Sequence, residues 1–115
     1  MRKSDVSFDI KADGDVQIMS ISGQLDAFTL SDLKNELSKL TGANRTKIVM
    51  NLGRVDSVNS AAIGAIVAVA RQVRKRKGDV KLCSLTDEIR KVFGLLGVSK
   101  MLEIFKTEQK AIKSF

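Results

Sequence analysis

The chain has 115 residues, 43% of them hydrophobic, and carries 20 Lys and Arg against 13 Asp and Glu for a net charge of +7. That length suits one domain, 1–115, able to bury a single core without metal or disulfide staples. The sequence contains no His, which excludes a Ser-His-Asp triad, a Cys-His pair and the usual zinc sites, and neither GxGxxG nor GxxxxGK[ST] is present to cradle a nucleotide.

No apolar run approaches the ~20 residues of a membrane span, and Met1-Arg2-Lys3-Ser4-Asp5 leads in without an apolar signal core. The single cysteine, Cys83, suits a reducing cytoplasm and reads as a small core residue. The expectation is a cytoplasmic, non-catalytic protein with no cofactor and no bound metal.

Residues 6–11 alternate, with Val6, Phe8 and Ile10 opposed by Ser7, Asp9 and Lys11, which predicts a strand with one wet face at a sheet edge. Ala12-Asp13-Gly14-Asp15 reads as a turn and 16–22 as the second strand of a hairpin. Residues 23–28 read as a connecting loop. Thr29 then looks like an N-cap with Asp32 as a capping-box-like partner, and Leu30, Leu33, Leu37 and Leu40 stripe a helix that Gly42 ends.

Residues 46–52 predict a third strand. Its run Ile48-Val49-Met50 implies burial on both faces and a central position. The strand–helix–strand order implies parallel pairing with the second strand through a right-handed crossover. The stretch from Asn51 to Gly64 reads as a turn that restarts as a helix near Ser60. A hydroxyl at a helix start lies beside unpaired N–H groups and the positive end of the dipole, a position equally good for a cap and for a phosphate.

Ile63, Ile66, Val67, Ala70 and Val73 form one face of this second helix, and Ala61, Ala62, Gly64, Ala65 and Ala68 keep it slim enough to lie close to the sheet or a partner. The cluster Arg71, Arg74, Lys75, Arg76 and Lys77 reads as a basic helix C-terminus closed by Gly78, in preference to a nucleic-acid patch. With no Trp or Tyr, base-stacking platforms are scarce.

Residues 80–85 predict a fourth strand. Thr86 caps a third helix whose buried face is Ile89, Val92, Phe93 and Leu96, closed by Gly97. Residues 101–105 read as a fifth strand or extended segment, and 107–115 as a final helix around Ala111 and Ile112. The fold class is α/β: a single small mixed, mostly parallel sheet of about four to five strands with helices packed on it.

In this outline the chain resembles a STAS domain, specifically a bacterial anti-sigma factor antagonist. Gly23-Gln24-Leu25-Asp26 followed by Thr29 is similar to the family's G-[ED]-[LI]-D loop before the first helix. Ile48-Val49-Met50-Asn51-Leu52 resembles its central strand, and Val58-Asn59-Ser60-Ala61-Ala62-Ile63-Gly64 resembles its phosphorylation motif, commonly apolar-D-S-[SA]-G-[LI]-G. Val92-Phe93 and Leu96-Gly97-Val98 resemble the late helix and following turn. The resemblance implies that Ser60 is phosphorylated by an anti-sigma factor serine kinase, that the unphosphorylated form binds that kinase and displaces a sigma factor, and that a PP2C-type phosphatase resets the switch.

It implies a partner surface at Asp26, Asn59, Ser60, Ala61, Ala62 and Ile63, with no direct nucleic-acid contact and no membrane. The residues leave oligomeric state open, and leave Asp26 open between an Asx-turn and a binding role. Two positions depart from the family pattern: Asn59 stands where aspartate is usual, and Ala62 where glycine is usual. Asn caps a helix about as well as Asp. The alternative in a different class is a STAS scaffold or structural subunit, stressosome-type or transporter-associated, without a phosphorylation switch.

Overall fold

A computed structural model describes residues 6–115; the reading of Met1–Asp5 as lacking a signal core lies outside the described residues. The described chain runs β1 (Val6–Asp13), β2 (Val16–Leu25), α1 (Leu30–Gly42), β3 (Lys47–Val58), α2 (Ser60–Arg74), β4 (Asp79–Cys83), α3 (Asp87–Leu95), a 3-10 turn (Val98–Lys100), β5 (Ile104–Phe105) and α4 (Glu108–Lys113). The strands form one sheet in the order β1-β2-β3-β4-β5. The β1–β2 pair is antiparallel, and β2–β3, β3–β4 and β4–β5 are parallel.

The mixed, mostly parallel α/β sheet and the edge position of β1 are as the sequence implies. The hairpin closes tightly because Asp13 pairs with Val16 and Gly14 takes φ 61, a left-handed conformation that costs glycine little.

Strand parity sorts the side chains into two cores. Met19 and Ile21 of β2, Ile48, Met50 and Leu52 of β3, and Val80 and Leu82 of β4 meet Leu33, Leu37 and Leu40 of α1, Ile63, Ile66, Val67 and Ala70 of α2, and Ile89 and Phe93 of α3. The opposite face carries a smaller cluster of Val16, Ile18, Val49 and Cys83 under Ala111 of α4. Ile48, Val49 and Met50 are each 0% exposed, so β3 is central with apolar side chains on both faces. Each such burial contributes roughly 1.5–3 kcal/mol. Burial also pushes the Cys83 thiol up from its ordinary pKa.

Four local expectations are corrected or refined. First, residues 23–25 are strand rather than loop, and β3 continues past Leu52 to Val58. Beyond Asn51, where β4 ends opposite Cys83, β3 continues paired with β2, which keeps β1 on its other side as far as Gly23, with register shifts between Ser20 and Ser22 and between Gly23 and Gln24. Polar residues are compatible with strand there because only one face is buried: Leu52 and Val55 point in while Arg54, Asp56 and Ser57 are exposed.

Second, Gly42 ends α1 as expected, being its last residue, but the left-handed φ of 61 beyond it falls on Asn44. Third, α2 ends at Arg74 and Lys77, not Gly78, adopts the left-handed conformation (φ 64). Gly78 is required for another reason: a Cβ there would sit 2.0 Å from the Thr46 carbonyl oxygen. Fourth, α3 stops at Leu95 and Gly97 turns left-handed at φ 69, so Leu96 leaves the buried face and is 50% exposed.

The basic cluster at the end of α2 is partly engaged in tying elements together. Arg74 Nε donates to Asp79 at 2.8 Å and its Nη2 to the Met101 carbonyl at 2.7 Å, while Arg76 reaches the Thr41 carbonyl at 3.2 Å and the Asn44 side chain.

Candidate phosphoacceptor turn and adjoining groove

Parallel pairing puts the carboxyl ends of β2 and β3 side by side, with Leu25 opposite Val58. Each strand there turns into a helix, and the Asn59 N–H donates to the Leu25 carbonyl at 2.9 Å, tying the two turns together.

In the first turn Asp26 Oδ1 accepts from the backbone N–H groups of Phe28 (2.9 Å) and Thr29 (3.2 Å), an Asx-turn arrangement. Thr29 is 1% exposed. Its hydroxyl accepts from the Asp26 N–H at 3.0 Å and donates to the Gln24 carbonyl at 2.8 Å. It therefore makes no cap bond to α1, and the expected capping box with Asp32 does not form.

The second turn is built otherwise. Asn59 is extended (φ −100, ψ 169) and its Oδ1 accepts from the Ala62 N–H at 2.8 Å, so Asn59 is the N-cap of α2. Ser60 is the first helical residue and is exposed, and no hydrogen bond among the described residues uses its hydroxyl. The first turn of α2 carries no acidic residue, leaving the positive end of the helix dipole, equivalent to about half an elementary charge, uncompensated. The ambiguity between cap and presented hydroxyl is resolved by a division of labour: the neighbour caps, and the serine is left for solvent.

Around Ser60 the sequence-implied residues separate by depth. Ala61 is exposed and Asn59 half-buried, whereas Ala62 (0% exposed) and Ile63 (6%) point into the core. Ser57, on the bulged end of β3, is exposed and donates to the Gln24 side chain at 3.2 Å.

Running from Ser60 along α2 is an apolar groove of about 370 Å³, walled by Gly64, Val67 and Ala68 on one side and by Leu96, Val98 and Met101 on the other. Gly64 has open space where a Cβ would project, which keeps the groove floor low. Leu95, at the rim end of α3, is 88% exposed. Sequence reading missed this groove. The available signal was the small residues Gly64 and Ala68 on the outer face of α2. Among the described residues no group of His, Cys, Asp and Glu could hold a metal, and no helix is long and apolar enough to cross a membrane.

Residues 7–111 match the STAS domain family. BtrV of Bordetella bronchiseptica, assigned as an anti-sigma factor antagonist, is 28% identical over 91% of this chain and 90% of its own. The anti-sigma-B factor antagonist of Listeria monocytogenes is 26% identical over 90% and 91%. Among solved structures, an anti-sigma factor antagonist from Mycobacterium paratuberculosis superposes with a TM-score of 0.87 at 18% identity, covering 95% of this chain and 92% of that one. SpoIIAA superposes in its unphosphorylated form (TM-score 0.73, 20% identity, 94% and 96% covered) and in its phosphorylated form (0.71, 21%, 94% and 98%).

Proposed function

From the chain's place in the STAS domain family, to which it belongs, we propose that it is an anti-sigma factor antagonist acting as a phosphorylation-controlled binding partner, not a catalyst. The observation that carries this reading is the hydroxyl of Ser60: exposed and unengaged at the start of α2 because Asn59 takes the cap. An anti-sigma factor serine kinase transfers phosphate to that hydroxyl, and a PP2C-type phosphatase removes it, in the cytoplasm.

Phosphorylation adds about −1.5 to −2 charges at neutral pH. The dipole end of α2 favours that charge, so the fold persists while the surface changes sign; SpoIIAA keeps one fold in both of its forms. The partner surface is Ser60, Ala61 and Asn59 with the adjoining Asp26 turn, continued by the apolar groove to Leu96. Ala62 and Ile63 support it from inside. An apolar groove beside a charge switch is an economical arrangement, since desolvation favours the neutral serine and penalises the dianion.

The test incubates the protein with its cognate anti-sigma kinase and ATP. Phosphate should appear on Ser60 and vanish in Ser60→Ala, and Ser60→Asp should bind the kinase at least about tenfold more weakly, a coupling of about 1.4 kcal/mol. Equal binding by Ser60→Asp and wild type would overturn the switch. Tight binding with no phosphate transfer would favour the STAS scaffold or structural subunit instead.

A further inference from the structure

On the sheet face opposite α1, α2 and α3, α4 covers Val16, Ile18, Val49 and Cys83 and then stops. Beyond it β1, β2 and β3 form the floor of a separate recess of about 420 Å³, which includes no residue of the Ser60 turn or its groove. Register lays two polar rows across that floor. One is Ser7–Ser22–Arg54 and the other Asp9–Ser20–Asn51. Glu108 of α4 forms one wall, ion-paired with Lys11 at 3.3 Å and accepting from Asn51 Nδ2 at 3.1 Å.

These contacts occupy Lys11, Glu108 and the Asn51 amide. The guanidinium of Arg54 and the hydroxyls of Ser7, Ser20 and Ser22 have no side-chain partner among the described residues, and Ser20 and Ser22 are half-buried. Arg54 reaches its place through the irregularity in β3, where Asn51 to Arg54 spans the β2 segment Ser20 to Ser22; bulges characteristically re-aim side chains next to binding sites.

We propose that this recess binds a small phosphorylated sugar or polyol. A guanidinium fork matches phosphate oxygens bidentately. The serine hydroxyls, which donate and accept, together with the Asp9 carboxylate, match ligand hydroxyls. The recess falls within the roughly 300–1,000 Å³ of small-molecule sites. It offers no ring face for a nucleobase, because Phe8, its aromatic residue, packs against the core on the other side of the sheet.

The test is a titration of the ¹⁵N-labelled full chain, followed by NMR, with glucose 6-phosphate, glucose and inorganic phosphate. Glucose 6-phosphate should shift the amides of Ser20, Ser22 and Arg54 saturably at millimolar concentration. Glucose should not shift them, and inorganic phosphate should bind at least about tenfold more weakly. Arg54→Met should weaken the sugar phosphate by at least about tenfold and Ser22→Ala less, each with a dispersed spectrum showing the fold intact. The proposal is overturned by the absence of saturable shifts with the sugar phosphate, by inorganic phosphate binding equally well, or by unchanged binding in Arg54→Met. No kinase is present, so the result is independent of the Ser60 reading.

Discussion

The turn at Asp26–Thr29 and the turn at Asn59–Ser60 sit side by side at the carboxyl ends of two parallel strands, and each joins an Asx residue to a hydroxyl residue before a helix. They use these groups in opposite ways. Asp26 and Thr29 spend their oxygens on one another's backbone and on Gln24, and the hydroxyl is buried. Asn59 alone caps the helix start, accepting from the Ala62 N–H, and the Ser60 hydroxyl is left exposed. The same chemical vocabulary therefore builds a rigid brace in one turn and a presented group in its neighbour. A brace beside a presented group holds its position without consuming it, the preorganisation that the proposed recognition of Ser60 would draw on.

The largest effect that separates the two turns should be chemical. Kinase-dependent phosphate incorporation, read by intact-mass spectrometry, is expected to vanish in Ser60→Ala and to persist in Thr29→Ser. Retained incorporation in Ser60→Ala, for example on Ser57, would break the contrast.

Next in size is the brace. Thr29→Val leaves the Asp26 N–H and the Gln24 carbonyl without their partner in a partly buried site, and should cost about 1–3 kcal/mol in denaturant unfolding. A smaller loss is expected for Asn59→Ala, about 1 kcal/mol for the missing cap, with Asn59→Asp close to wild type. At the bottom of the scale, Ser60→Ala should change stability by no more than about 0.5 kcal/mol. If Ser60→Ala were as costly as Thr29→Val, Ser60 would be a second brace and the division between the turns would be wrong.

The distinction between the turns was only half legible in the sequence. The short polar residues after Leu52 and the apolar periodicity from Ile63 located the start of α2, and Asn59 was recognisable as an adequate cap. That Thr29 would turn its hydroxyl backwards was not, because its partners lie on the end of β2, and composition made 23–28 look like loop. The same blindness shortened β3: Arg54, Asp56 and Ser57 read as turn residues until pairing with the extended end of β2 gives their backbone a ladder.

Leu96 was misplaced because extending a helical stripe by one more turn assumes that the helix continues, whereas the chain leaves the helix at Gly97. Lys81 gave no signal at all. It lies 6% exposed in β4, donating to Ser114 Oγ at 2.8 Å and its carbonyl at 3.0 Å, with Nζ 4.5 Å from the Phe115 ring centroid. Nothing near it in the chain announces those partners.

What the sequence determined by itself follows from local patterns: alternation marked β1, the turn at residues 12–15 marked the hairpin to β2, the run Ile48-Val49-Met50 marked a central strand, and the 3.6-residue stripes marked the three larger helices. What the tertiary structure decided are the matters that depend on which distant groups meet. Parallel pairing of β2 with β3 brought the two turns together, engaged one hydroxyl and left the other free. The end of α3 opened the apolar groove beside Ser60. The close approach of Thr46 required a glycine at position 78. Periodicity encodes which side of an element is apolar; it carries no record of what stands opposite, and a free serine is defined by what does not stand opposite it.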